Sequence, residues 1–290
     1  MGESTVDEVY EQVRAASPVA ANDAPPNLVQ VAPRIRVLAL RTPTLPPAAH
    51  TNVYLVGPEA GPVAVVDPGS PYADQQAALD HVIEQLGIEL VLLTHHHGDH
   101  VGGAAELAAR WGVPIAAHAN TRRRLAGRVE VTRELADDED VGGIRCVYTP
   151  GHADGHLCFE HGGATIAGDM VAGIGTILID PSEGDMAVYL ASLERLLARP
   201  AAMLLPAHGP AIPDGPAKLR EYIAHRMMRE ARVAAALRGE ASVDELVAVA
   251  YSDTPRLLWP LATRSMLAHL VKLERDGRAR EVAPGRWSPT

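Results

Sequence analysis

Four histidines and an aspartate fall within six residues, His95-His96-His97-Gly98-Asp99-His100, directly behind the apolar run of residues 90–93. The run has the length and branching of a buried strand, so the polar cluster sits where that strand leaves its sheet. This limits the choice of fold, because α/β proteins keep their chemistry at strand ends. In extended chain, residues two apart point the same way, which aims His95 and His97 at one point and turns His96 elsewhere. Asp99 and His100 follow at the start of the next helix, where Gly102 and Gly103 permit close backbone approach, and they offer an oxygen and a nitrogen to a second ion. The pattern predicts a metal site.

The rest of the chain predicts an α/β body with a smaller, mostly helical appendage. Residues 1–27 read as an N-terminal arm, weakly amphipathic around Val6, Val9 and Val13 and then rich in Ala and Pro. A β-meander is predicted from residues 34–40, 51–56 and 63–66, then a helix over 72–86 leading to the motif strand. Further strands are expected over 113–117, 144–149, 157–160, 164–167 and 203–205, and helices over 104–111 and 186–197. Residues 121–124 form a basic patch, and 137–140 an acidic turn read as a solvated loop. Beyond Pro213 come three helical segments, the second capped by Ser242, and two short strands ending at Trp287; that order spells a winged helix. The expected division is 1–27, 28–215 and 216–290.

Charge is uneven along the chain. From Lys218 onward there are 13 Lys and Arg against 9 Asp and Glu, leaving 13 against 27 before it, for a total of −10. An acidic body argues against a protein built wholly around nucleic-acid backbones. Only Cys146 and Cys158 are present, without paired spacing. The N-terminus has neither a basic n-region nor an apolar h-region, and no apolar run approaches the roughly 18 residues of a membrane span, so a cytoplasmic protein without membrane contact is expected.

Metal ligands rarely come from one loop, and isolated His and Asp residues do recur behind later β-like runs, at Thr149-Pro150-Gly151-His152, Ala167-Gly168-Asp169 and Ala207-His208-Gly209. This ordered set resembles the metallo-β-lactamase superfamily, whose hallmark Thr-His-x-His-x-Asp-His is matched in full by residues 94–100; the match spans about residues 34–210. The resemblance implies an αββα sandwich followed by the winged helix. It further implies that His95, His97 and His152 hold one metal, that Asp99, His100 and His208 hold the other, and that Asp169 bridges them. Thr51-Asn52-Val53-Tyr54-Leu55-Val56-Gly57, residues 189–193 and Tyr222-Ile223-Ala224-His225-Arg226 look like the branch that includes the animal mitochondrial single-strand endoribonuclease. Asp169, where the main zinc β-lactamases place Cys, implies weak or no β-lactamase activity.

The implied chemistry is hydrolysis. Two divalent ions, zinc first and manganese or iron also accommodated, sit about 3.5–4 Å apart and share a bridging water of lowered pKa, with Asp99 orienting the resulting hydroxide. Asp154 and His156 share the turn of His152 and are expected to orient a ligand. His50, His118 and Thr176 are candidates for lining the pocket, and His225 for reaching it from the second domain. His81, His161 and His269 read as structural. Two substrate classes follow. The acidic body favours a small-molecule thioester, ester or lactone; the alternative is single-stranded RNA, favoured by Arg220, Arg226, Arg229 and Arg232 along one helix. A homodimer is a further partner expectation.

Overall fold

The computed structural model describes residues 6–16, 26–200 and 202–290. A seven-stranded sheet is built in chain order from β1 (Leu28–Ala32), β2 (Ile35–Arg41), β3 (His50–Val56), β4 (Val63–Val66), β5 (Ile88–Leu92), β6 (Ile115–His118) and β7 (Arg133–Leu135). The first four pair antiparallel and the last four parallel. A second sheet runs β12-β11-β10-β9-β8, from β8 (Asp140–Val141), β9 (Ile144–Tyr148), β10 (Leu157–His161), β11 (Ala164–Gly168) and β12 (Met203–Pro206).

Strand alternation sorts the apolar residues into layers. Val53, Leu55, Val63 and Val65 face outward onto α2 (Ala73–Leu86) and α4 (Ala104–Trp111), meeting Leu79, Ile83 and Leu107. Tyr54, Val56, Ala64 and Val66 face inward and meet Phe159, Ile166 and Leu205 of the second sheet. The outer face of that sheet, with Val147, Cys158 and Leu204, is covered by Tyr189 and Leu193 of α6 (Met186–Leu197). Helix, sheet, sheet, helix is the αββα sandwich expected from the sequence. Two short helices, α3 (Gly98–Val101) and α5 (Ala119–Leu125), follow β5 and β6.

At the C-terminal end lie α7 (Gly215–Ala236), α8 (Val243–Ala250) and α9 (Trp259–Arg275), with β13 (Ala241–Ser242), β14 (Ala279–Ala283) and β15 (Arg286–Pro289) forming a three-stranded sheet. Ser242 caps α8 in a reciprocal capping box with Glu245, which fixes where that helix begins. The helix α7 is shared: Leu219 and Tyr222 join the core beside α6, whereas Val233 and Leu237 join the winged-helix core.

Three local expectations change. Part of the N-terminal arm is a helix, α1 (Val6–Ala16), with Val9 and Val13 buried and Arg14 donating to the Pro43 carbonyl at 2.9 Å; residues 17–25 lie outside the described residues. The acidic turn is held rather than merely solvated: Asp137 accepts from Tyr148 N at 2.8 Å and pairs with Arg195, and Asp140 opens β8. The basic patch is α5, its arginines paired with Glu134 and Asp154.

Candidate metal centre

Side chains converge from the ends of β5, β9, β11 and β12. Because β4 and β5 run parallel, Asp67 ends its strand beside Thr94. The His152 loop turns at Gly151, whose φ of +123 and whose approach to Tyr189 leave no room for a Cβ: one would lie 2.2 Å from Tyr189 N.

Two sets of donors result. His97 Nδ1 is 2.9 Å from His95 Nε2 and 3.1 Å from His152 Nε2, and the latter two are 3.3 Å apart. These separations are close to the edge of about 3.3 Å in a tetrahedron with metal–nitrogen bonds of about 2.0–2.1 Å. Asp169 Oδ2 lies 3.5 Å from His152 Nε2, while its Oδ1 lies 3.6 Å from His100 Nε2 and 3.4 Å from His208 Nε2. Asp99 Oδ2 is 3.5 Å from His208 Nε2. Asp169 thus stands between a His95–His97–His152 set and an Asp99–His100–His208 set.

The outward ring nitrogens show which way each imidazole presents its lone pair. His152 Nδ1 donates to the Leu178 carbonyl at 2.9 Å, and His208 Nδ1 to the His50 carbonyl at 3.0 Å. His97 Nε2 donates to Glu183 Oε1 at 2.8 Å, and His100 Nδ1 to Asp67 Oδ2 at 2.8 Å. The Thr94 hydroxyl gives its one proton to Asp67 Oδ2 at 2.6 Å, so at 2.9 Å it accepts from His95 Nδ1. Five outer N–H groups are satisfied, and five bare nitrogens face inward with two carboxylates.

Electrostatics agrees with a cation site. Burial and neighbouring imidazoles push His95 well down, and burial then His97 push His152 to about 4, so both are neutral donors. Burial pushes His100 down too, but the charges of Asp169, Asp99 and Asp67 outweigh it and raise it well above 6.5. Burial pushes Asp169 up, yet His208 and His100 overcome this and hold it ionised. Excess negative charge lies at the second set, where buried His100 Nε2 and Asp169 Oδ1 have no hydrogen-bond partner. Unpartnered buried polar atoms beside excess negative charge are expected where a cation binds.

Of the other candidates, His156 is brought close: it is fully buried, accepts from Asp169 N at 3.1 Å and bonds Thr149 Oγ1 at 2.9 Å, so it positions Asp169. Thr176 lines the cavity over the metal centre. His50 contributes its carbonyl rather than its ring. Asp154 is not brought in; its carboxylate pairs with Arg123 and Arg124 on the far side of the turn. His118 caps α5 and stacks on Tyr148 at 4.3 Å, and His225 lines a neighbouring chamber. Sequence reading missed Asp67, Glu183 and Tyr10. Asp67 had a signal, an acid at the end of the strand preceding the motif strand. Glu183, which also bonds His96 Nε2 at 3.0 Å, had none. Tyr10 lines the 180 Å³ cavity above the cluster; burial, then Glu183, Asp180, Asp99 and Asp169, raise its pKa well above 10.

The expected basic stripe along α7 does not form. Arg229 and Arg232 both pair with Asp253, at 2.7 and 2.6 Å, and Arg226 is only 3% exposed. Arg226 is thereby withdrawn from any phosphate backbone, and Arg229 and Arg232 share one neutralising carboxylate. Among the described residues no helix is long and apolar enough to cross a membrane.

Comparison with known proteins accounts for both parts of the chain. Residues 46–208 match the model of the metallo-beta-lactamase superfamily, and residues 242–287 that of the beta-lactamase associated winged helix domain. A lactamase-like protein of Penicillium aethiopicum is 32% identical over 97% of this chain and 95% of its own length. An atrochrysone carboxyl ACP thioesterase of Passalora fulva is 30% identical over 79% of this chain and 71% of its own. A metallo-beta-lactamase family protein from Thermus thermophilus superposes with a TM-score of 0.74 at 26% identity, covering 89% of this chain and 99% of that one. The chain therefore belongs to the metallo-beta-lactamase superfamily of hydrolases, with the associated winged helix at its C-terminal end.

Proposed function

We propose that the protein is a two-metal hydrolase of small acyl thioesters. The observation that carries this reading is the set of five inward-facing bare nitrogens, each fixed by an outer hydrogen bond, around Asp99 and Asp169. His95, His97 and His152 would hold one ion and Asp99, His100 and His208 the other, with Asp169 shared. Bound there, two divalent ions supply Lewis acidity and a water of lowered pKa. An all-His and Asp set suits zinc and accommodates manganese or iron.

The chain's own groups do the rest. Asp99 lines the cavity, where its carboxylate oxygens orient the attacking water and accept its proton. Tyr10 and Thr176, with Leu45, Pro46 and Ile177, form part of the remaining wall and limit water around the scissile carbonyl. A thioester is favoured over other acyl compounds by a relative at 30% identity whose name is that of an acyl carrier protein thioesterase. The acidic body and the occupied α7 cations favour a small molecule over RNA.

The test is one purified sample assayed side by side on an acyl thioester, a lactone, a β-lactam and a single-stranded RNA oligomer. Thioester hydrolysis, close to two metals per chain, and loss of activity in chelator and in His97→Ala are the expected results. Full activity in chelator, or salt-sensitive cleavage of RNA alone, would overturn the reading.

A further inference from the structure

A second chamber of about 260 Å³ adjoins the metal cavity, with Thr176, Ile177 and Leu178 lining both. Its far side comes from the C-terminal segment, where Tyr251, Leu258, Leu261 and Ala262 stand beside His225 and Arg229. Arg226 lines the same chamber. Its Nη2 donates to the Ile177 carbonyl and, at 3.4 Å, to Thr176 Oγ1, and its guanidinium lies 5.5 Å from the Tyr189 ring centroid. Nε has no hydrogen-bond partner, and among the described residues no carboxylate pairs with Arg226.

This is unusual for a cation 3% exposed. An arginine taken out of water is normally compensated by an acid, as Arg229 is by Asp253. The nearby ring of His269, fully buried and with both nitrogens unpartnered, brings no negative charge. A planar donor group beside an apolar chamber suits a ligand that is apolar along its length and anionic at its end.

Resting on the thioesterase reading, we propose that this interdomain chamber receives the acyl part of the substrate and that Arg226 binds an oxyanion, a carboxylate, at the acyl group's far end. The thioester carbonyl stays over the metal centre. The acyl chain passes Thr176 into the second chamber.

The experiment compares N-acetylcysteamine thioesters in pairs, adipyl against hexanoyl and 4-carboxybenzoyl against benzoyl. In the wild-type protein kcat/KM favours the carboxylate member of a pair by about tenfold to a hundredfold, the worth of one charge-assisted hydrogen bond. In Arg226→Gln that ratio falls towards one. Because this substitution also removes the bonds to residues 176 and 177, a second arm uses wild-type protein only. By calorimetry, free terephthalate binds at least about tenfold more tightly than benzoate, whose single carboxylate can serve the metal centre or Arg226 but not both. Equal rates within both pairs together with equal binding of the two acids would overturn the subsite. Inorganic phosphate displacing terephthalate from it would do so too, by showing a free-anion site. Absence of hydrolysis for all four thioesters would overturn the thioesterase reading alone, and the binding arm would still decide the subsite.

Discussion

Asp67→Asn separates ligand geometry from ligand identity, because Asp67 belongs to neither donor set yet governs one member of each. Its Oδ1 accepts from Thr94 N at 2.8 Å; its Oδ2 accepts from the Thr94 hydroxyl at 2.6 Å and from His100 Nδ1 at 2.8 Å. Asparagine keeps the first bond and presents an NH₂ where both other donors point. To avoid that conflict, His100 must move its proton to Nε2, and the Thr94 hydroxyl must turn towards His95. Either change removes a lone pair from the metal centre. Loss of such an outer partner costs about tenfold to a hundredfold in metal affinity, or about 1.4–2.7 kcal/mol. Competition titration against a chromophoric chelator measures this directly, with metal content per chain as a second readout. Asp154→Asn is the control, since Asp154 faces Arg123 and Arg124, and its affinity is expected to equal that of the wild type. A folded Asp67→Asn protein that binds both ions as tightly as wild type would refute the tautomer argument.

Other perturbations test the scaffold. Burial, then Arg226, Lys272, His225 and Arg229, lower His269 from 6.5 to about 3, so the unfolded chain takes up a proton that the folded chain refuses; the associated stability is present above pH 6.5 and is lost as pH falls towards 3. His269→Leu is therefore expected to gain about 2 kcal/mol relative to wild type on going from pH 7.5 to pH 5, read from urea midpoints, and an unchanged difference would count against it. Gly151→Ala forces a Cβ to within 2.2 Å of Tyr189 N at a left-handed φ, and should cost at least about 3 kcal/mol and weaken metal retention through His152. Cutting the chain before α7 should lower retention of the ion at His95, His97 and His152 by about tenfold or more, while affecting the other set less; equal loss from both, or none, would contradict this.

The strands and the His and Asp residues that converge at their ends were legible because each depends on local pattern. Alternation at residues 63–66, branching at 90–93 and a polar residue just past a strand end all follow from the period of extended chain. The outer shell was not legible. Leu178 and His50 act through carbonyls, which every residue has, so no side chain marks them. Glu183 sits in a loop between β11 and α6 and reaches His97 only because the fold returns that loop over the motif. The basic stripe along α7 misled for the same reason. Spacing gave the face of the helix, but Asp253, which neutralises Arg229 and Arg232, lies 24 and 21 residues away.

The C-terminal helices bear on the candidate metal centre as well as on the appendage. Leu178 and Glu183, which orient His152 and His97, flank Asp180. Asp180 is 2% exposed and bound by Arg264 of α9, whose Nη2 donates to Oδ1 at 2.8 Å. Asp180 Oδ1 also accepts from Ser182 N, and its carbonyl from Gly184 N, so one buried carboxylate shapes the loop while one arginine anchors it. The same loop forms the partition between the two chambers, through Ile177 and Leu178. If the second chamber receives the acyl group as proposed, that group would lie against the segment whose Leu178 carbonyl and Glu183 carboxylate bond His152 and His97. Under that proposal, substrate selection and the orientation of the His152 and His97 rings would be linked through residues 176–183, in the middle of which Arg264 of α9 holds Asp180.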